Sequence, residues 1–232
     1  MLLTTTLLGA AFAGGLDLAV DPGLVSTWQA TYAVYGPEGY GGMVLVDGSP
    51  TREGGATLVV RYLAPAEEEA AWLEGVTVDA EGALVSVVRR EGRRMRTLTV
   101  GEGAVQDVVT EGKGGTPLSS RSHAVTGRVT SPWLLPLVLP AAQARGGDTW
   151  TGALLDGQQV GLSPSILTAQ GRQEVGGGRK ALVAQLVPGE GPVRSFIYDD
   201  ELVSAIVEPQ ARVQWVAAPR DEVQATHERA GD

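Results

Sequence analysis

Between Gly147 and Ala217 the chain repeats a pattern that leaves few choices of fold: short apolar-rich runs, each broken by turn residues. Ile166 to Val175 stops at Gly176, Gly177 and Gly178, and Lys180 to Val187 stops at Pro188 to Gly191. Val193 to Tyr198 then ends at Asp199 and Asp200, and Leu202 to Glu208 ends at Pro209 and Gln210, before Arg212 to Ala217. Runs of five to ten residues broken by Gly, Pro and Asp turns at this spacing read as strands. They predict an antiparallel meander, in which each strand pairs with the next.

The N-terminal half carries the same signal. Val25 to Tyr35 alternates, with Trp28, Ala30, Tyr32 and Val34 on one face, as in a half-buried strand. Further strands are expected at Tyr40 to Val46, Ala56 to Leu63, Trp72 to Val78, Ala83 to Arg90, Arg93 to Val100 and Ala104 to Thr110. Ala64 to Ala70 reads as an acidic bend, Glu111 to Ser120 as a mobile surface loop, and Arg121 to Val129 as strand or connector. The 32 glycines and 13 prolines spread along the 232 residues fit many short strands and turns. The expected class is therefore all-β, a curved antiparallel sheet of half-barrel or β-roll form.

One piece breaks the pattern. Pro132 to Pro140, PWLLPLVLP, is the most apolar stretch after the N-terminus, and its three prolines would each remove a ladder donor from a central strand. A short helix or irregular segment crossing the sheet near residues 132–144 is expected, buried in the trough. Residues 1–15 combine an apolar run with Ala11-Phe12-Ala13, a small-x-small cleavage pattern, and read as an export signal, although the usual positively charged start is missing. Residues 16–218 then form a single β-rich domain, and 219–232 a polar C-terminal tail, frayed or loosely helical. The leading run is shorter than the roughly 20 residues a membrane-spanning helix needs.

A formal charge of −9 argues against nucleic acid as a general partner. The absence of cysteine excludes disulfides, thiolate chemistry and a lipidated N-terminal cysteine. Gly147-Asp148-Thr149-Trp150, Glu174 to Lys180, Ile197 to Glu201 and Leu202 to Val216 follow the apolar crossing segment in an order that resembles exported bacterial domain-of-unknown-function proteins. The β-rich half-barrels of those proteins look like periplasmic lipoprotein carriers. The resemblance covers about the C-terminal half. It implies a curved antiparallel sheet and a periplasmic or cell-envelope location, and it supplies no catalytic residues.

Two groups of residues stand out as candidate sites. In RREGRRMR, Arg89, Arg90, Arg93, Arg94 and Arg96 cluster in an otherwise acidic chain. A turn at Glu91 and Gly92 would set Arg90 against Arg93 and Arg89 against Arg94, which is repulsive. The cluster is either a solvated hairpin tip that discourages edge pairing or an anion site, where bidentate guanidinium contacts relieve the repulsion. Trp28, Tyr32, Trp72, Trp133, Leu135, Trp150, Phe196 and Trp215 either fill the core or line an apolar pocket, with Trp133 and the following leucines as its plug.

Catalysis finds little support. His227 lies in the tail, His123 reads as a surface or loop residue, and no GxSxG, HExxH or phosphate loop is present. Asp199, Asp200 and Glu201 read as turn chemistry, and no metal or cofactor is expected. The functional expectation is non-catalytic binding of a lipid or another amphipathic ligand. The alternative is a module that binds an envelope protein through its sheet edges and the arginine hairpin.

Overall fold

A computed structural model describes residues 20–112, 115–125, 127–137, 145–157, 160–175, 178–189, 191–199 and 202–230. The expected leader, residues 138–144 of the crossing segment, Asp200 and Glu201 lie outside them. The N-terminal half is a meander of β1 (Gln29–Gly36), β2 (Gly39–Pro50), β3 (Ala56–Leu63), β4 (Trp72–Val78), β5 (Leu84–Glu91), β6 (Arg94–Gly101), β7 (Ala104–Glu111) and β8 (Pro117–Ala124). The C-terminal half holds β9 (Val129–Thr130), β10 (Thr149–Leu155), β11 (Val160–Val175), β12 (Arg179–Val187), β13 (Arg194–Asp199), β14 (Leu202–Glu208) and β15 (Val213–Ala217). All neighbours are antiparallel except β9 with β10.

The two meanders join where β1 pairs β15, giving, among the described residues, one sheet of 15 strands with β8 and β9 at its edges. Laid flat, those edges would be about 65 Å apart at the usual strand spacing. Only residues 125–128 separate β8 from β9 in the chain, a reach of at most about 18 Å. The sheet must therefore curl until its edges nearly meet. Hydrogen bonds fasten the joint on both sides: Val125 donates to Gly103 O (2.9 Å), in the β6–β7 turn, and Ala153 of β10 donates to Arg128 O (2.9 Å).

One apolar core fills the resulting trough. Strand periodicity turns Val44, Val60, Val76, Val87, Leu98 and Val105 inward from one half, and Leu154, Leu167, Leu186, Phe196 and Ile206 inward from the other. The described part of the proline-rich segment, 131–137, lies between them, as expected. It begins in turns and enters a helical turn at Leu135. Leu134 and Leu135 are fully buried in the common core, and Tyr198 donates to Leu135 O (3.4 Å).

Local chemistry departs from the sequence reading in several places. Val25 to Thr27 are not strand but the end of helix α1 (Pro22–Thr27), which starts with Pro22 after an N-cap Asp21 whose carboxylate accepts from Gly23 N (2.8 Å). The stretch read as a mobile loop is shorter than expected, because β7 runs to Glu111 and β8 begins at Pro117. The arginine hairpin turns one residue later than expected. Gly92, at φ 55°, takes the first central position, as a type II′ turn requires, so Glu91 faces Arg94, Arg90 faces Met95 and Arg89 faces Arg96.

Finally, Arg220–Arg229 form helix α2, which lies on the outer face of β1 and β2. Val223 and His227, an i,i+4 pair, are the two buried residues of α2. Val223 packs with Ala33, Met43, Leu45 and Leu63. His227 Nε2 donates to Glu67 O (2.9 Å), and Nδ1 meets the Tyr40 hydroxyl at 3.2 Å. Val223→Asp should release α2 at a cost of roughly 2–4 kcal/mol. Limited proteolysis should then cut near residue 219 of the variant and spare the parent protein.

Candidate site at the mouth of the trough

Cross-strand register makes the inner face change character along the strands. The row Val76–Val87–Leu98 is apolar. Two residues further towards one mouth, the row reads Val60–Glu74–Arg89–Arg96, and beyond it lie Tyr62 and Trp72 on one side and Arg94 on the other. The opposite half presents Arg194 and Glu208, directly paired across β13 and β14, and Trp215. Charged and aromatic side chains thus converge on one rim.

The aromatic part is a continuous row. Tyr62 stacks on Trp72 (centroids 5.7 Å), Trp72 meets Trp133 at 6.1 Å, and Trp133 stacks on Trp215 at 5.3 Å. Trp133, carried by the crossing segment, therefore bridges the two halves of the sheet. These rings and Val34, Glu74, Arg89, Pro132, Asp156, Arg194 and Glu208 line a cleft of about 290 Å³.

The charged part is built on Glu74, only 1 % exposed, and Arg89, 7 % exposed. Arg89 Nη1 donates to Glu74 Oε2 at 3.4 Å, while its guanidinium lies over the Trp72 ring at 4.4 Å. Gly157, from the far side of the trough, donates its N–H to the same Glu74 oxygen (3.2 Å). A Cβ on Gly157 would fall 2.4 Å from Arg89 Cβ and 2.7 Å from Glu74 Oε2, so only glycine lets the chain approach so closely. Gly157→Ala should cost about 1–3 kcal/mol, read as a lower urea midpoint with an unchanged slope.

Burial pushes the Glu74 carboxyl up to about 7, the Asp156 charge adds to the rise, and Arg89 only partly opposes it. Asp107 shows the reverse: two charge-assisted bonds from Arg96 (2.9 and 2.8 Å) hold its carboxyl below the usual range. His123, expected at the surface or in a loop, lies on the edge strand rather than in a loop. It sits half-buried on β8, with Nε2 3.5 Å from Asp107 Oδ2.

A second cleft of about 500 Å³, lined by Arg89, Glu91, Arg94, Arg96, Asp107 and Arg121 among others, shares Arg89 with the aromatic cleft. A third, of about 470 Å³, opens beside the joint between the sheet edges, next to Trp150.

The residues proposed from sequence as an apolar pocket divide into two sets. Trp28, Tyr32, Leu135, Trp150 and Phe196 are buried in the core, whereas Trp72, Trp133 and Trp215 are half-buried and line the aromatic cleft. The five arginines divide as well. Arg89 and Arg96 turn inward to carboxylates, and Arg90, Arg93 and Arg94 are exposed. Asp199, one of the acidic turn residues, pairs with Arg179 (2.6 Å). Among the described residues no cluster of acids or histidines has metal-ligand geometry.

Sequence reasoning missed Glu74, Asp107, Asp156, Arg194 and Glu208. Period-two parity does hold the signal for Glu74, since it puts this residue on the face of Trp72 and Val76.

A single curled antiparallel sheet, open along one joint, defines a β-barrel-like fold. One solved structure of this kind is a β-barrel-like protein of domain of unknown function DUF1849 from Brucella abortus. It is similar over 82% of this chain and 95% of its own, with a TM-score of 0.52 and 11% identity. At that identity the likeness concerns the fold. No protein-family profile matches the sequence, and no curated protein matches it significantly. No helix among the described residues is long and apolar enough to cross a membrane.

Proposed function

We propose that this chain is an exported cell-envelope protein that binds an apolar or amphipathic ligand, such as a lipid or an acylated peptide, without chemical conversion. The observation that carries the reading is the half-exposed row Tyr62–Trp72–Trp133–Trp215, which opens into a cleft whose wall is shared, at Arg89, with a strongly charged one. Flat aromatic edges suit an acyl chain, and the neighbouring charges suit a polar head. The leader-like first 15 residues support the compartment.

Native mass spectrometry of protein purified from its own host tests the reading. A copurifying lipid mass, and uptake of lipid from vesicles by emptied protein, are the expected results. Neither copurification nor uptake would end it.

One observation favours a second reading, an interaction module. Leu134 and Leu135 fill the trough interior, while β8 offers a free edge with six of its eight residues exposed. An added partner strand could pair along that edge. Crosslinking from β8 in envelope extracts should then capture a specific protein, and the absence of any adduct would remove this reading.

A further inference from the structure

We propose that the larger cleft is a binding site for a phosphate group, gripped by Arg94 and Arg121 above the buried Arg89. Arg89, Arg94, Arg96, Ser119 and Arg121 share the inner face of β5, β6 and β8, because Arg89 opposes Arg96, Arg96 opposes Val109, Val109 opposes Ser119, and Arg94 and Arg121 lie two residues from members of that row. All five line the cleft. Four guanidinium groups and two carboxylates, Glu91 and Asp107, line it; Glu74 takes one bond from Arg89 beneath, and the Asp156 charge reaches Arg96.

Arg96 is committed to Asp107 by two hydrogen bonds. Arg94 and Arg121 make no ion pair among the described residues. Arg89 is more than nine-tenths buried, yet its Nε and Nη2 have no hydrogen-bond partner, and its nearest second acid, Glu91, is 3.8 Å from Nε. Buried guanidinium donors left unmatched beside two unpaired arginines are the arrangement a multi-oxygen anion would complete. A carboxylate has two oxygens for these donors. A phosphate has three or more, and the Ser119 hydroxyl could serve one of them. In a chain of formal charge −9, this cleft is a local well for anions.

That the phosphate belongs to an amphiphile, with its tail on the tryptophan row, rests on the function proposed above; the phosphate site itself does not. Calorimetric titration of the full chain with dodecyl phosphate, inorganic phosphate and dodecyl maltoside below its micelle threshold separates the two. Arg94 and Arg121 are exposed, so the variant R94S/R121S should keep the parent circular dichroism and melting curve.

Dodecyl phosphate should bind the parent protein, and the double variant should bind it at least about tenfold more weakly, with dodecyl maltoside binding unchanged. Inorganic phosphate binding as tightly as the dodecyl ester, and lost in the variant, would keep the site and remove the amphiphile. Equal dodecyl phosphate affinity in both proteins would overturn the phosphate site while leaving amphiphile binding in place. No phosphate binding of either kind would overturn it as well.

Discussion

Leu135→Asp should abolish the cooperative native fold at room temperature, whereas Leu118→Asp should leave it almost unchanged. Leu135 is fully buried between the two halves of the sheet, and its backbone carbonyl takes the Tyr198 hydroxyl. Leu118, on the edge strand β8, is 58 % exposed. Truncating a core leucine to alanine costs about 2–5 kcal/mol, and a carboxylate with no partner in that position costs several more. A domain usually has only about 5–15 kcal/mol in hand. The milder Leu135→Ala should fold and lose roughly 5–15 °C in melting temperature. Near-ultraviolet circular dichroism with thermal melting reads all three variants, and a parental melt for Leu135→Ala would mean that the crossing segment does not hold the halves together.

Glu74→Gln should flatten the pH dependence of stability and raise stability at alkaline pH. The carboxyl titrates near an ordinary 4.5 in the unfolded chain and at about 7 when folded, mainly because it is buried. The folded protein therefore binds this proton more tightly than the unfolded one. Its stabilising contribution is fully present below pH 4.5, falls as pH rises between 4.5 and 7, and is absent above. The change across that window is on the order of 3 kcal/mol.

Glutamine has the same shape and no charge, so the variant and the parent should be similar near pH 4.5 and diverge by pH 8.5, with the variant the more stable. Asp107, whose carboxyl is held low, contributes the opposite slope at acid pH, but identically in both proteins. Urea titrations at the two pH values give the difference directly. A variant less stable than the parent at pH 8.5 would mean that the Arg89 contact outweighs the cost of burying the charge.

The meander was legible because turn chemistry is local. Asp79 caps its own hairpin by accepting from Glu81 N and Ala83 N, and β3, β4 and β14 begin and end where the runs in the sequence do. The helical start at Pro22–Thr27 was obscured because Val25 and Thr27 suit a strand equally well, and the Asp21-Pro22 start outweighs their propensity.

The rim was legible only in fragments. Tryptophans 72, 133 and 215 and Arg89 and Arg94 were singled out, but Glu74 was not, because a lone acid on the apolar face of β4 shows no partner until Arg89 and Gly157 are brought to it. The pairing of Arg194 with Glu208 and the approach of Gly157 to Glu74 depend on how the halves fold over each other. The latter contact spans 83 positions in the chain.

The pairing of β1 with β15 also sets the order in which the molecule can be completed. Each half can zip as a series of neighbouring hairpins while the chain is being made, since every pairing inside it joins consecutive strands. The join between halves matches Tyr32 with Ala217 and so waits until residue 217 has left the ribosome. Until then the central strand β1 is an unpaired border, and a nascent chain stalled before residue 213 would carry it exposed, the state most open to chaperone capture.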